Sequence, residues 1–221
     1  MLRALAKAYN EALFDTDRER AVEIVRKAIA EGISPEDVLF NIIVPGIDFL
    51  GELASREGNI NLAQHFMAAQ IAELTTQEVL TKFKYAPEIK GRVVIGTSQG
   101  DFHGLGKKIV TGCLKAHMIE VIDLGLDVTP ERFVEESLAH EAQVIAISSM
   151  MVHTARGENG CLKVRQIVRE RNLEGKIKIA VGGAPYRFDH DLYRTVQADG
   201  WAENGLEAAK LITELIKKVQ P

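Results

Sequence analysis

Chemistry can gather at Thr97-Ser98-Gln99-Gly100-Asp101-Phe102-His103-Gly104-Leu105-Gly106. The segment offers an imidazole, a carboxylate two residues before it, and glycines on both sides. A neutral histidine is a good metal ligand. A carboxylate on its other ring nitrogen fixes the tautomer and raises the ligand's basicity. The glycines let something bulky approach the backbone. The segment is not a dinucleotide fingerprint, because GxGxxG is absent, and not a P-loop, because GxxxxGK[ST] is absent. One histidine is too few for a structural zinc, which takes about four protein ligands. A metal on His103 must therefore arrive with most of its coordination filled, as in a macrocycle. A lone histidine in such a loop is more often a surface or capping residue, so the elements around it decide its weight.

Those elements fall into two kinds. Residues 1 to 84 read as helix throughout. Asp15 or Asp17 can cap a helix whose apolar stripe is Ala21, Val22, Ile24, Val25, Ala28 and Ile29. Ser34-Pro35-Glu36-Asp37 has the hydroxyl, proline and acids of a helix start. Pro45 removes a donor and predicts a kink or split between Val38 and Ala54. A long helix is expected from Asn59 or Asn61 to about Phe83, with two apolar stripes, as in a four-helix bundle. The Pro- and Gly-bearing stretch 85–91 is expected to be a linker. From 92 to 221 short β-branched runs alternate with helical stretches: strands at 92–97, 120–123, 144–148, 178–181 and 199–202. That alternation predicts a doubly wound α/β fold with a five-stranded parallel sheet, Rossmann- or flavodoxin-like. Its ligand belongs at the carboxyl ends of the strands, at a topological switch point. The loop holding His103 follows the first of these strands.

Composition closes off other classes. A net charge of −4 over 221 residues argues against a phosphate-backbone binder. No apolar run approaches the roughly 18 residues of a membrane span, and the N-terminus does not read as a signal peptide. Cys113 and Cys161 form no CxxC pair, so a disulfide framework and a cysteine-based zinc site are not expected. The expected compartment is the reducing cytoplasm. Lys107 and Lys108 read as a solvated face, and Cys113 as a buried helix residue.

Asp101-x-His103-x-x-Gly106 resembles the D-x-H-x-x-G signature of cobalamin-binding domains. That family also has an S-x-L element after the third strand and a G-G element after the fourth. Here Ser148-Ser149-Met150 and Gly182-Gly183 stand in those places, and Asp199-Gly200-Trp201-Ala202 is similar to the family's D-G-[YW]-A stretch. Pro45, Gly51, Glu52 and GNINLAQHFMAAQ resemble the helical cap of methyl-carrying corrinoid proteins, so the likeness spans nearly the whole chain. It implies a cap at 1–84 and a cobalamin-binding domain at 92–221.

The resemblance also implies roles. His103 would replace the corrinoid's own benzimidazole base as cobalt's lower axial ligand. Asp101 would accept from the ring's other nitrogen, and Thr154 would supply the hydroxyl of a relay. The displaced nucleotide tail would find room at Gly104 and Gly106. Ser148 would hydrogen-bond the base, and Gly182, Gly183, Gly200, Trp201 and Ala202 would complete the pocket. Met150 replaces the usual Leu with similar volume. Asn61, Gln64, His65 or Ala68 of the cap would approach the upper face, and the cap would act as a lid.

The implied cofactor is cobalamin, passing between methylcobalamin and cob(I)alamin. The implied partners are a substrate-specific methyltransferase, an acceptor methyltransferase (to tetrahydrofolate, for example) and a reductive activase, with no nucleic acid and no membrane. The chain by itself would be a carrier rather than an enzyme. Two other functions share the signature: the small subunit of an adenosylcobalamin mutase, which usually lacks the helical cap, and a cobalamin-based sensor. Light sensors present a Trp in the cap, whereas Trp201 is the only Trp here and lies in the other domain.

Overall fold

The computed structural model describes residues 1–55, 61–83 and 88–219. It divides into two compact units, one of Met1–Glu88 with Lys115–Met118, the other of Ile89–Leu114 with Ile119–Pro221. Gly58, Asn59 and most of the expected linker's first half, including Pro87, lie outside the described residues. No helix among the described residues is long and apolar enough to cross a membrane.

The first unit is helical: α1 Leu2–Phe14, α2 Arg18–Ala30, α3 Pro35–Val38, α4 Val44–Ser55 and α5 Leu62–Leu80. Asp17 caps α2 through the Arg20 N–H, and Ser34 caps α3 through the Asp37 N–H. The helix expected around Pro45 is split. Leu39–Ile43 is a π turn between α3 and α4, placed where Pro45 has no N–H to continue the ladder. Tyr9, Leu13, Val25, Leu39, Ile42 and Ile71 form the fully buried centre of the bundle. The Tyr9 hydroxyl bonds Thr75 Oγ1 at 2.7 Å, and burial pushes its pKa up.

The second unit runs β1 Gly91–Ser98, α6 Leu105–Ala116, β2 Ile119–Val128, α7 Pro130–Ala139, β3 Val144–Ser148, α8 Val152–Arg156 and α9 Cys161–Glu170. It continues with β4 Lys178–Gly182, α10 Ala184–Phe188, α11 Leu192–Thr195, β5 Gly200–Ala202 and α12 Gly205–Lys217. The five strands are parallel in the order β2-β1-β3-β4-β5, the flavodoxin-like winding. Strand β2 is longer than the expected 120–123. Asp123 and Asp127 hide its pattern, as polar residues do on an edge strand.

The two faces of the sheet differ in size of side chain. On one face, Val94, Ile145, Ile147, Ile179 and Val181 meet Phe133, Val164 and Val168 of α7 and α9 in the main core. The other face, covered in part by α12, carries small residues. Register places Ile95, Ala146, Ala180 and Gly200 side by side, and two residues further on Thr97, Ser148, Gly182 and Ala202. This second row ends the strands at their carboxyl edge. The first strand of the winding, β1, turns at that edge into the loop of Asp101 and His103.

Candidate functional site

The Asp101 N–H closes a tight turn on the Ser98 carbonyl at 2.9 Å. Its carboxylate is fully buried. Oδ1 accepts from the His103 backbone N–H and lies against His103 Nδ1, both at 3.0 Å. Oδ2 accepts from the Met150 N–H at 2.6 Å and from the Thr154 hydroxyl at 2.9 Å. Thr154 Oγ1 is also 2.9 Å from the Met151 carbonyl, so its single proton lies between two acceptors. Burial works against the charge on Asp101. The N–H groups of His103 and Met150, with the His103 ring and the Thr154 hydroxyl, outweigh it and hold the pKa below the ordinary carboxylate range.

A carboxylate can only accept, so the proton on the His103 ring belongs on Nδ1. The Nε2 lone pair is then free, on a side chain that is 58% exposed. Among the described residues no group of three or more His, Cys, Asp or Glu side chains could hold a bare ion. His103 suits a metal whose other positions are already filled.

Substituting Asp101 by Asn tests this arrangement. The amide has one acceptor oxygen for groups that now fill two. Corrinoid affinity should fall about 10–100-fold, the usual cost of removing the partner of a metal-bound histidine. The cobalt(II)/cobalt(I) potential should shift, and an unchanged potential and affinity would count against the role. The bonds also give the protein an acid dependence. They stabilise the fold above the unfolded pKa, about 3.9, and that stability is lost as pH falls through the lower folded value. Melting curves of the Asn variant, taken as pH falls below the unfolded value of about 3.9, should lack this component.

Gly106 stands in the first turn of α6, and no atom lies within 4 Å of where its Cβ would be. No packing inside the protein requires glycine there, and the space is open. Gly104 precedes the helix beside Leu126. Ser148, Gly182 and Ala202 lie in the small-residue row, with Gly200 two residues behind, so the carboxyl edge is a trough in side-chain size, while Thr97 in the same row is fully buried. Gly183 has φ +113°, and a Cβ there would lie 2.0 Å from the Ser149 carbonyl oxygen. This turn interlocks with the one after β3. Around the same loops Phe102, Leu105, Leu126, Met150, Met151 and Val152 are exposed. So many apolar side chains at one strand edge suit a large, partly apolar ligand. The imidazole, the row of small side chains and the apolar rim together fit a corrinoid with its base displaced into the domain.

Other expected site residues fare differently. Trp201 is on the opposite face of the sheet, packed against the main core, with His190 stacked on it at 5.0 Å. Its odd place in the strand register puts it there, away from the trough. Lys107 does not belong to a solvated face as expected. It is 3% exposed and pairs with Asp123 on β2, while Lys108 is exposed. In the first unit Asn61 is the N-cap of α5. Asn61 and Gln64 bond each other's backbone N–H in a capping box, at 2.9 and 3.2 Å. His65 is half-buried, and burial lowers its pKa. Ala68 is buried. Sequence reading missed the backbone N–H of Met150 and the 2.7 Å bond between Ser98 and Ser149 that ties the β1 and β3 loops. Neighbouring serines at two strand ends were the only signal.

Two family models match the chain, each described as a B12 binding domain, one over residues 91–210 and the other over 5–75. Trimethylamine corrinoid protein 1 of Methanosarcina acetivorans is 32% identical, over 98% of this chain and 95% of that protein. A corrinoid protein of Desulfitobacterium hafniense is 29% identical over 99% of this chain and all of its own length. Among solved structures, the methanol:cobalamin methyltransferase complex of Methanosarcina barkeri matches with TM-score 0.74 at 26% identity, over 97% of this chain and 80% of that one. A cobalamin-binding protein of Desulfitobacterium hafniense shares the fold at TM-score 0.78 and 22% identity, over 97% of this chain and 98% of that one. With the D-x-H-x-x-G loop at the switch point of a flavodoxin-like sheet, the chain belongs to the B12-binding domain family, among the corrinoid proteins of methyltransferase systems, and its cofactor is cobalamin.

Proposed function

We propose that the chain carries a methyl group between two methyltransferases. One takes the methyl from a small methylated substrate, and the other delivers it to an acceptor such as tetrahydrofolate. The observation that carries the reading is the His103 ring, mostly exposed with Nδ1 committed to buried Asp101, three residues before the open space at Gly106. When bound, the corrinoid supplies a cobalt centre that accepts and yields the methyl group.

The chain's own residues bind and tune. His103 Nε2 would hold the lower face, and Asp101 keeps the ring's orientation and tautomer. The mostly exposed ring would hold the cobalt through Nε2, while the Asp101 carboxylate on its other side keeps its orientation. The Thr154 hydroxyl adjusts by moving its proton between Asp101 Oδ2 and the Met151 carbonyl. These bonds would keep the loop in one arrangement whether or not the cofactor is held. The trough of Ser148, Gly182 and Ala202 would hold the displaced tail and fix the cofactor's position.

Relatives named for trimethylamine, dimethylamine and monomethylamine lie at 30–33% identity, too even to single out a donor. We take a methylamine as the first substrate class to test. The protein should be reconstituted with cobalamin, reduced, and offered to methylamine and methanol methyltransferases. Methylation by one of them, followed by transfer to an acceptor enzyme, is expected. A bound, reducible cofactor that no partner of the panel methylates would overturn the carrier reading.

Gly106→Ala gives a second test with two opposed readouts. Alanine is the better helix residue by about 0.5–1 kcal/mol and meets no protein atom. The apoprotein should melt slightly higher while cobalamin affinity falls. Tighter or unchanged binding would show that the space is not used by the cofactor.

A further inference from the structure

Buried Asp101 is gripped from two sides. Its carboxylate is held by the loop after β3, through Met150 and Thr154. Its backbone is held by the end of the edge strand β2. The Asp101 carbonyl accepts from Thr97 Oγ1 at 2.5 Å and from the Asp127 N–H at 3.2 Å. The same Asp127 N–H lies 2.9 Å from Thr97 Oγ1. The Asp127 carboxylate accepts from the Gly100 N–H at 2.7 Å, in the turn that leads into Asp101. Three bonds thus join residues 97, 100 and 101 to one residue of the neighbouring strand.

Asp127 has φ +53°, in the left-handed region that an L-residue with a branched or bulky side chain avoids. Aspartate and asparagine tolerate it, because their short side chains bond nearby backbone. That conformation aims both the N–H and the carboxylate of Asp127 at the turn. Asp127 itself is exposed, while its N–H reaches the buried Thr97 and Asp101. An exposed residue in a strained conformation, bonded to the end of β1 and to the loop that follows it, is suited to setting that loop.

We propose that Asp127, with Thr97, is a positioning residue for His103: it presets the Gly100–Asp101 turn so that Asp101 orients the imidazole before cofactor arrives. This rests on His103 being the cobalt ligand. It gives the edge strand, which otherwise supplies only Leu126 to the apolar rim, a further role in binding. The chemistry required is an acceptor oxygen at Asp127 and a hydroxyl at Thr97, not a negative charge.

Three variants of the full chain test it: Asp127→Gly, Asp127→Asn and Thr97→Ser. Glycine accepts the left-handed backbone without strain but has no acceptor. Asparagine keeps Oδ1 and the tolerance for positive φ, and serine keeps the hydroxyl. Each is reconstituted with cobalamin, and the nitrogen splitting in the cobalt(II) paramagnetic resonance spectrum is compared with affinity from optical titration. The Gly variant should lose about tenfold or more in affinity and show a mixed spectrum with an unsplit component. Asn and Ser should keep wild-type behaviour. A Gly variant with full splitting and affinity would overturn the proposal, and so would an Asn variant as impaired as Gly. His103→Ala run alongside separates the two ideas. If its spectrum keeps the splitting, the ligand assignment fails. If it loses the splitting while the Asp127 variants keep it, only the positioning role fails.

Discussion

His103→Ala should abolish the nitrogen splitting of the cobalt(II) spectrum while leaving the apoprotein folded. The ring is mostly outside the protein, and its one side-chain bond is to Asp101. Losing a bond to a carboxylate at so exposed a ring costs about 1.5 kcal/mol, the low end for charged groups, equivalent to roughly 3–6 °C in melting temperature for a chain of this length. Cofactor retention should weaken but not vanish, because the trough of Ser148, Gly182 and Ala202 and the rim of Phe102, Met150 and Met151 are untouched. Titration of the variant with cobalamin, followed by reduction to cobalt(II), gives both readouts. A splitting that persists would point to another imidazole, and exposed His153 in α8 is the nearest in the sequence to the same loops. That result would sink His103 as ligand.

Gly183→Ala should be the most damaging single change to the fold. The residue lies at φ +113°, where a side chain is strained by about 1–3 kcal/mol. The new methyl carbon would also stand 2.0 Å from the Ser149 carbonyl oxygen and 2.9 Å from its carbonyl carbon, both backbone atoms. They cannot swing aside as a side chain can. The turn must open, and with it the bond from the Ser149 N–H to the Gly182 carbonyl at 3.0 Å. A drop of roughly 6–12 °C in melting temperature follows from about 3 kcal/mol in a chain this long. Gly182→Ala is the matched control. Its Cβ would meet only the Ala202 carbonyl at 3.4 Å, an ordinary contact. It should fold normally and affect cobalamin binding instead. Equal melting temperatures for the two variants would mean that the interlocked turns do not limit stability.

Much of the site was legible because its spacing is local. Asp101 and His103 are two residues apart, so the carboxylate–imidazole bond needs only a loop, and the glycines announce one. The strand-to-helix rhythm placed that loop at a carboxyl edge, which is where a doubly wound fold binds. Caps at Asp17 and Ser34 were equally local. Thr154, Ser148 and the Gly182-Gly183 pair entered through resemblance to a family pattern, since nothing in their own neighbourhood marks them.

Tertiary structure decided the rest, chiefly through strand register. Register puts Thr97, Ser148, Gly182 and Ala202 in one row and turns Trp201 to the other face. It brings Asp127 beside Gly100 and Asp101, across 26 to 27 positions of chain. The placement of α6 beside β2 buries Lys107 against Asp123, where the helix pattern alone suggested solvent. A period of two tells which residues share a face within one strand but not which residue of the next strand stands beside them. That alignment is set by packing between distant segments, and only the folded chain contains it.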